Sequence, residues 1–200
     1  MNLVFQLPLK IAFSLRISIK LLESILENSM AYFLNLFSPE TYEAFCRSDR
    51  TVSGFQPRFQ KAANQIKRGD KFICYMTKLS RWVGILEVVE GPYKDSSPIF
   101  YPKNDPFILR FHVKPLVWLP VEKCVPIHDE QIWSSLTFTK SLSKSSKNWT
   151  GKIRNGLSKM LQADAEFLEK VLLAQIKGRS VFKYDKDIYA KYLSPTQLIE

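Results

Sequence analysis

The residues 80–101, "SRWVGILEVVEGPYKDSSPIFY", place Trp82 at the start of an apolar run and Tyr101 at the end of a turn-rich, charged loop. A strand that serves only the core needs no aromatic side chain on the loop behind it, whereas a pocket for a flat ligand does. Trp82 has two readings, core packing or pocket wall. Tyr101 favours the wall. A polar residue, Asn35, interrupts the apolar run "AYFLNLF". A buried amide needs a hydrogen-bond partner, and backbone or ligand can supply it. The third feature is the segment 140–159, "KSLSKSSKNWTGKIRNGLSK", which carries six basic residues and no acidic one.

Charge bounds the partner. The 200-residue chain has a formal net charge of +10, large for its length, which points to an acidic partner such as nucleic acid or an anionic membrane. Residues 1–29 carry +1, residues 30–139 have 14 basic against 11 acidic side chains, and residues 160–200 balance at six each. More than half of the excess therefore lies in one tenth of the chain. A solvated basic loop is the plain alternative.

Catalytic and metal chemistry find little material. The only histidines are His112 and His128, and the three cysteines, Cys46, Cys74 and Cys124, are far apart and odd in number. That disfavours a disulfide framework or a zinc site and suits a reducing cytosol. No GxGxxG, Walker loop or HExxH occurs, so no cofactor is expected.

The elements that must position these residues read as α+β. Length and a 46% hydrophobic content suit one folded domain. A strand is expected over 31–37, and Ser38-Pro39 opens a helix with a capping hydroxyl followed by a residue that needs no donor. Pro57 opens a second helix. Strands follow over 71–75 and 82–89 as a hairpin, the second ending in a turn. A strand over 107–117 puts Phe107, Leu109, Phe111 and Val113 on one face and Arg110, His112 and Lys114 on the other. Helices are expected over 129–136 and 163–177, the latter stopped by Gly178. Several short-spaced strands with helices early and late fit a small twisted barrel or half-barrel better than a doubly wound sheet.

Residues 1–29 stand apart. Lys10, Arg16 and Lys20 interrupt their apolar runs, so no membrane span or secretory signal is expected. Ile17, Leu21, Leu22 and Ile25 have helical spacing. The piece reads as an appended amphipathic helix, with membrane-surface association as its rival role, or as an over-called start upstream of Met30. The expected division is 1–29, a domain over 30–178, and a polar tail over 179–200.

Six motifs, "YFLNLFSPETYEAF", "SGFQPR", "IKRGDKFICYM", "SRWVGILEVVEGPYKDSSPIF", "DPFILRFHVKPL" and "NWTGKIRNG", resemble in order and spacing the EVE domains of the PUA-like superfamily, whose members include the YTH readers of methylated adenine. The resemblance runs from about residue 30 to 176. It implies a pseudo-barrel of five to six strands with a concave face for a base extruded from DNA or RNA, often a modified base. It also implies possible partner proteins of a restriction or antiviral system. By motif, Phe55, Tyr101 and Phe107 resemble the three cage positions of the YTH relatives, which favour Trp where this chain has Phe55 and Tyr101. Asn35 and Ser53 are candidates for the base edge, since an amide both donates and accepts. Lys152 and Arg154 resemble the loop that grips phosphates. The implied protein is a non-catalytic binder located in the cytoplasm. Its rivals are a component of a nucleic-acid-modifying enzyme and an interaction module for a small ligand or protein.

Overall fold

The computed structural model describes residues 30–193; the expectations for 1–29 fall outside them. The first strand, β1 (Tyr32–Phe37), stops at Ser38, whose side chain accepts from the Thr41 amide while Thr41 bonds back to the Ser38 amide, a reciprocal cap that starts α1 (Pro39–Arg47). After β2 (Val52–Phe55), a 3-10 turn (Pro57–Phe59) runs into the short α2 (Gln60–Ala63). Then come β3 (Lys71–Met76), β4 (Arg81–Lys94), β5 (Leu109–Trp118), β6 (Val125–Pro126) and α3 (Glu130–Ser135). A 3-10 turn (Asn148–Ile153), α4 (Gln162–Lys177) and α5 (Lys186–Lys191) complete the described chain.

The sheet has the order β1-β3-β4-β5-β2, with β6 added to β4. β1 and β3 are parallel and the other pairs antiparallel. Register shifts recur along β4, at Ile85/Leu86, Val88/Glu90 and Glu90/Tyr93. Each bulge bends and twists the strand, which curls the sheet into a half-barrel. The two ends of the sheet order are joined by a side chain: Asn35 Nδ2 of β1 donates to Ser53 Oγ of β2 at 2.9 Å. The outer edge of β1 is covered by residues 157–160, through Leu34 N to Ser158 O (2.9 Å), Leu157 N to Leu34 O (2.7 Å) and Met160 N to Tyr32 O (2.9 Å).

Phe55, Phe72 and Phe111 fill the barrel interior, with ring centroids 5.4–5.9 Å apart, a spacing suited to edge-to-face packing. A second layer, Phe37, Tyr42 and Phe45 around Trp118, joins α1 to the sheet. Helix α4 lies against β3, β4 and β5 and buries Ala165, Leu168 and Leu172.

Three local readings change. The stretch after Val89 is strand, not turn, because Glu90, Tyr93 and Lys94 pair with His112, Arg110 and Leu109 across the bulges. "VSGF" is a strand on the free edge of β5, an element absent from the sequence reading. Residues 179–193 fold back onto the domain: Tyr189 is buried and its hydroxyl donates to Glu43, while Phe182 N donates to Glu122 O at 2.7 Å. Among the described residues no helix is long and apolar enough to cross a membrane.

Candidate functional site

One residue beyond the Asn35–Ser53 bond on each strand, Leu36 and Gly54 border a cavity of about 110 Å³. Phe55 and Phe107 line it with Phe59 of the 3-10 turn. Phe55 is buried, its ring packed on Phe72 and Phe111, while Leu36, Phe59 and Phe107 are half-buried. Gly156 closes the circle. A β-carbon there would stand 3.8 Å from Phe59 Cζ and 3.9 Å from Leu36 Cγ, so the cavity exists partly because this position has no side chain. Arg154 and Arg58 stand at its mouth, both exposed, with the Arg58 guanidinium 4.9 Å from the Phe59 ring centre. Gln56 also borders the space. It offers an amide donor and acceptor.

The wall that carries Phe107 is held by two charged side chains. Asp105, 8% exposed, accepts at Oδ2 from the amides of Ile99 (2.9 Å), Phe100 (2.8 Å) and Tyr101 (3.4 Å), and at Oδ1 from Phe107 (2.9 Å). Arg110, 1% exposed, reaches from β5 to Asp95 Oδ2 (2.6 Å), Ser97 Oγ (3.0 Å), Ser97 O and Phe107 O (3.3 Å). Alternation along β5 assigned Arg110 to the polar face. It is instead buried under the loop it organises. Tyr101 stacks on Phe107, with centroids 6.0 Å apart and planes 15° apart. Burial first, and the neighbouring Glu40 carboxylate second, push its phenol pKa up.

The basic segment is anchored by aromatics. His128 stacks on Trp133 at 5.1 Å, and Trp149 meets both rings edge-on at 5.4 and 5.9 Å. The indoles donate to Leu142 O and Ser146 O, both at 2.9 Å, which ties the segment's backbone to α3. Partial desolvation against the indoles first, and Lys144 second, hold the pKa of the exposed His128 below its ordinary value. A histidine whose folded pKa is depressed contributes stability that is complete above the unfolded value, about 6.5, and is lost as pH falls through the folded one. Thermal unfolding of the wild type is therefore expected to drop more between pH 7.5 and pH 5.5 than that of His128→Phe. Parallel pH profiles of the two proteins would remove this role.

The residues singled out from the sequence separate. Phe55, Phe107 and Arg154 meet at the cavity, and Tyr101 backs Phe107. Asn35 and Ser53 are 2% and 1% exposed and are bonded to one another inside the barrel. Trp82 is fully buried, pairs with Val125 and packs edge-on against Tyr75 at 4.8 Å; of its two readings the structure gives core packing. Lys152 lies across the buried Ile153 from Arg154 and lines a different cavity. Leu36, Gln56, Phe59 and Gly156 were missed from the sequence. Leu36, Gln56 and Gly156 lay inside motifs already noted, "YFLNLFSPETYEAF", "SGFQPR" and "NWTGKIRNG", and Phe59 lay outside them.

A mixed, bulged sheet curled until its ends meet, with helices on its flanks, is a PUA-like pseudo-barrel. The EVE domain matches residues 31–171, and the chain belongs to that family. It is 25% identical over 153 residues to a UPF0310 protein of Pyrococcus abyssi, and 26% identical over 156 residues to one of Pyrococcus horikoshii; each alignment covers 72% of this chain and all of the relative. Among solved structures, the Mmi1 YTH domain in complex with RNA superimposes with a TM-score of 0.54 at 14% identity, covering 76% of this chain and 83% of that one. That likeness is one of fold.

Proposed function

We propose that this protein is a non-catalytic nucleic-acid-binding module that takes one flipped, modified base of DNA or RNA into the cavity between Leu36 of β1 and Gly54 of β2, the seam cavity. The observation that carries the reading is an open space walled by Phe55, Phe59 and Phe107 with an exposed guanidinium, Arg154, at its mouth. The fold shared with an RNA-bound YTH domain supports it. Extruding a base costs a few kcal/mol, and each aromatic face stacked on it returns about 1–3 kcal/mol. Two of these rings offset the cost. The space of about 110 Å³ is smaller than the cavity of about 150 Å³ that encloses benzene, so it takes part of a ring, the rest remaining at the open side. The Asn35–Ser53 bond sets the separation of the strands that border it, and Tyr101 stiffens Phe107. Selectivity for a methyl group rests on filling the remaining apolar space, worth about 1 kcal/mol.

The basic residues of 140–159 supply affinity that carries no sequence information. Arg154→Ala is expected to weaken binding to modified and unmodified strands by the same factor and to lower the salt slope by about one. Anisotropy titrations at several salt concentrations measure both. A loss confined to the modified strand would assign Arg154 to the base, and cleavage or base release on adding divalent metal would overturn the non-catalytic reading.

A further inference from the structure

Across residues 153–160 from the seam lies a second cavity, of about 330 Å³. Leu34 forms part of it, two residues before the Leu36 that borders the seam cavity. Residues i and i+2 of a strand share a face and lie roughly 7 Å apart, about twice the 3.4 Å rise of a stacked nucleotide, a distance that adjacent nucleotides span once they are unstacked. The ridge between the cavities is fixed, because its backbone pairs with β1 through Leu157 and Ser158. One unstacked strand can therefore lay neighbouring nucleotides on either side of it.

The second cavity has its own chemistry. Phe138, Met160 and Leu161 give it an apolar platform, and Leu161 is 63% exposed. Lys152 and Lys159 reach it from the exposed surface, and neither ammonium has an ion-pair partner among the described residues. In its depth Asp164, 4% exposed, accepts from Thr137 N at 2.9 Å and from Thr137 Oγ1 at 2.6 Å. A carboxylate has about four lone-pair sites, so accepting capacity remains on a group that can only accept. Cations at the rim suit phosphate, and an inner carboxylate suits an exocyclic amine, as carboxylates pair with the cytosine amino group.

We infer that this cavity takes the nucleotide next to the one in the seam cavity, and selects a base whose amine stands on C4 or C6, cytosine or adenine, over one bearing a carbonyl there. The inference rests on the reading above, that a strand places a base between Phe59 and Phe107. It gives the protein a sequence context that the seam cavity alone does not provide.

The test uses the full chain and seven-nucleotide single strands with 5-methylcytosine or N6-methyladenine at the centre, and with cytosine, adenine, thymine or an abasic site on each side in turn. On one side, cytosine or adenine is expected to bind at least fivefold tighter than thymine or the abasic site. Lys152→Ala is expected to lower affinity more for a strand with that neighbour than for a strand that stops at the central nucleotide. Lys152 is exposed, so this variant alters the rim without disturbing the buried Asp164. Equal affinity for all neighbours on both sides, with Phe107→Ala still erasing the preference for the central base, overturns this inference and leaves the seam reading standing. If Phe107→Ala changes nothing, the seam reading falls. A free cytidine or adenosine monophosphate that binds and that the seven-nucleotide strand does not displace assigns the cavity to a small ligand and overturns the shared path.

Discussion

Gly156→Phe is expected to remove the base-dependent part of binding while leaving the fold intact. The glycine backbone lies outside the left-handed region, and a β-carbon would make ordinary contacts with Phe59 and Leu36 at 3.8 and 3.9 Å. A side chain there meets no strain and projects into the roughly 110 Å³ that the proposed base would enter. Stacking worth about 1–3 kcal/mol is then lost, which is about 5- to 150-fold in affinity for the preferred strand. Binding that depends on salt is expected to persist, because Arg154 and the lysines are untouched. Unfolding should stay level or rise slightly, since the added ring is half-buried among apolar groups. Gly156→Ala should fall between. A plugged protein that still prefers one base over another would place the base elsewhere.

Asp105→Ala has the largest expected effect on stability. One buried carboxylate accepts from four backbone amides between Ile99 and Phe107, and no other group takes its place in the described structure. Hydrogen bonds to a charged group are worth about 1.5–3 kcal/mol each and are not additive when they share one acceptor. A total of about 3 kcal/mol is expected, which for a chain of this size lowers Tm by roughly 6–12 °C. Hydrogen exchange should locate the loss in the amides of Ile99, Phe100, Tyr101 and Phe107, and base preference should weaken as the Phe107 wall loosens. Unchanged protection of those four amides would show that Arg110 alone holds the loop.

What could be read from the sequence is what is local. The cap at Ser38 and the cations of 140–159 involve neighbours in the chain, and both stand where their spacing put them. The motifs shared with EVE domains carried the fold because their order encodes the strand order. The cavity is another matter. Leu36, Phe59 and Gly156 come from three distant segments, and the space between them depends on a side chain that one of them lacks. No local pattern signals an absence. Asn35 drew notice because it is polar in an apolar strand, yet its partner, Ser53, lies 18 residues away and meets it only once the sheet has curled. Arg110 was misplaced for a related reason. Alternation describes a flat strand, and a loop folded over its polar face turns that face into interior. β2 was lost because four residues with a glycine among them carry too little periodicity.

Nuclear Overhauser contacts between the protein and a short modified single strand test most directly where the ring lies. The account predicts cross-peaks from base protons to the ring protons of Phe59 and Phe107 and to the methyls of Leu36, absent in Gly156→Phe. Saturating binding with those side chains silent, and contacts confined to residues 140–159, would mean that the strand rides on its phosphates alone and the cavity stays out of its recognition.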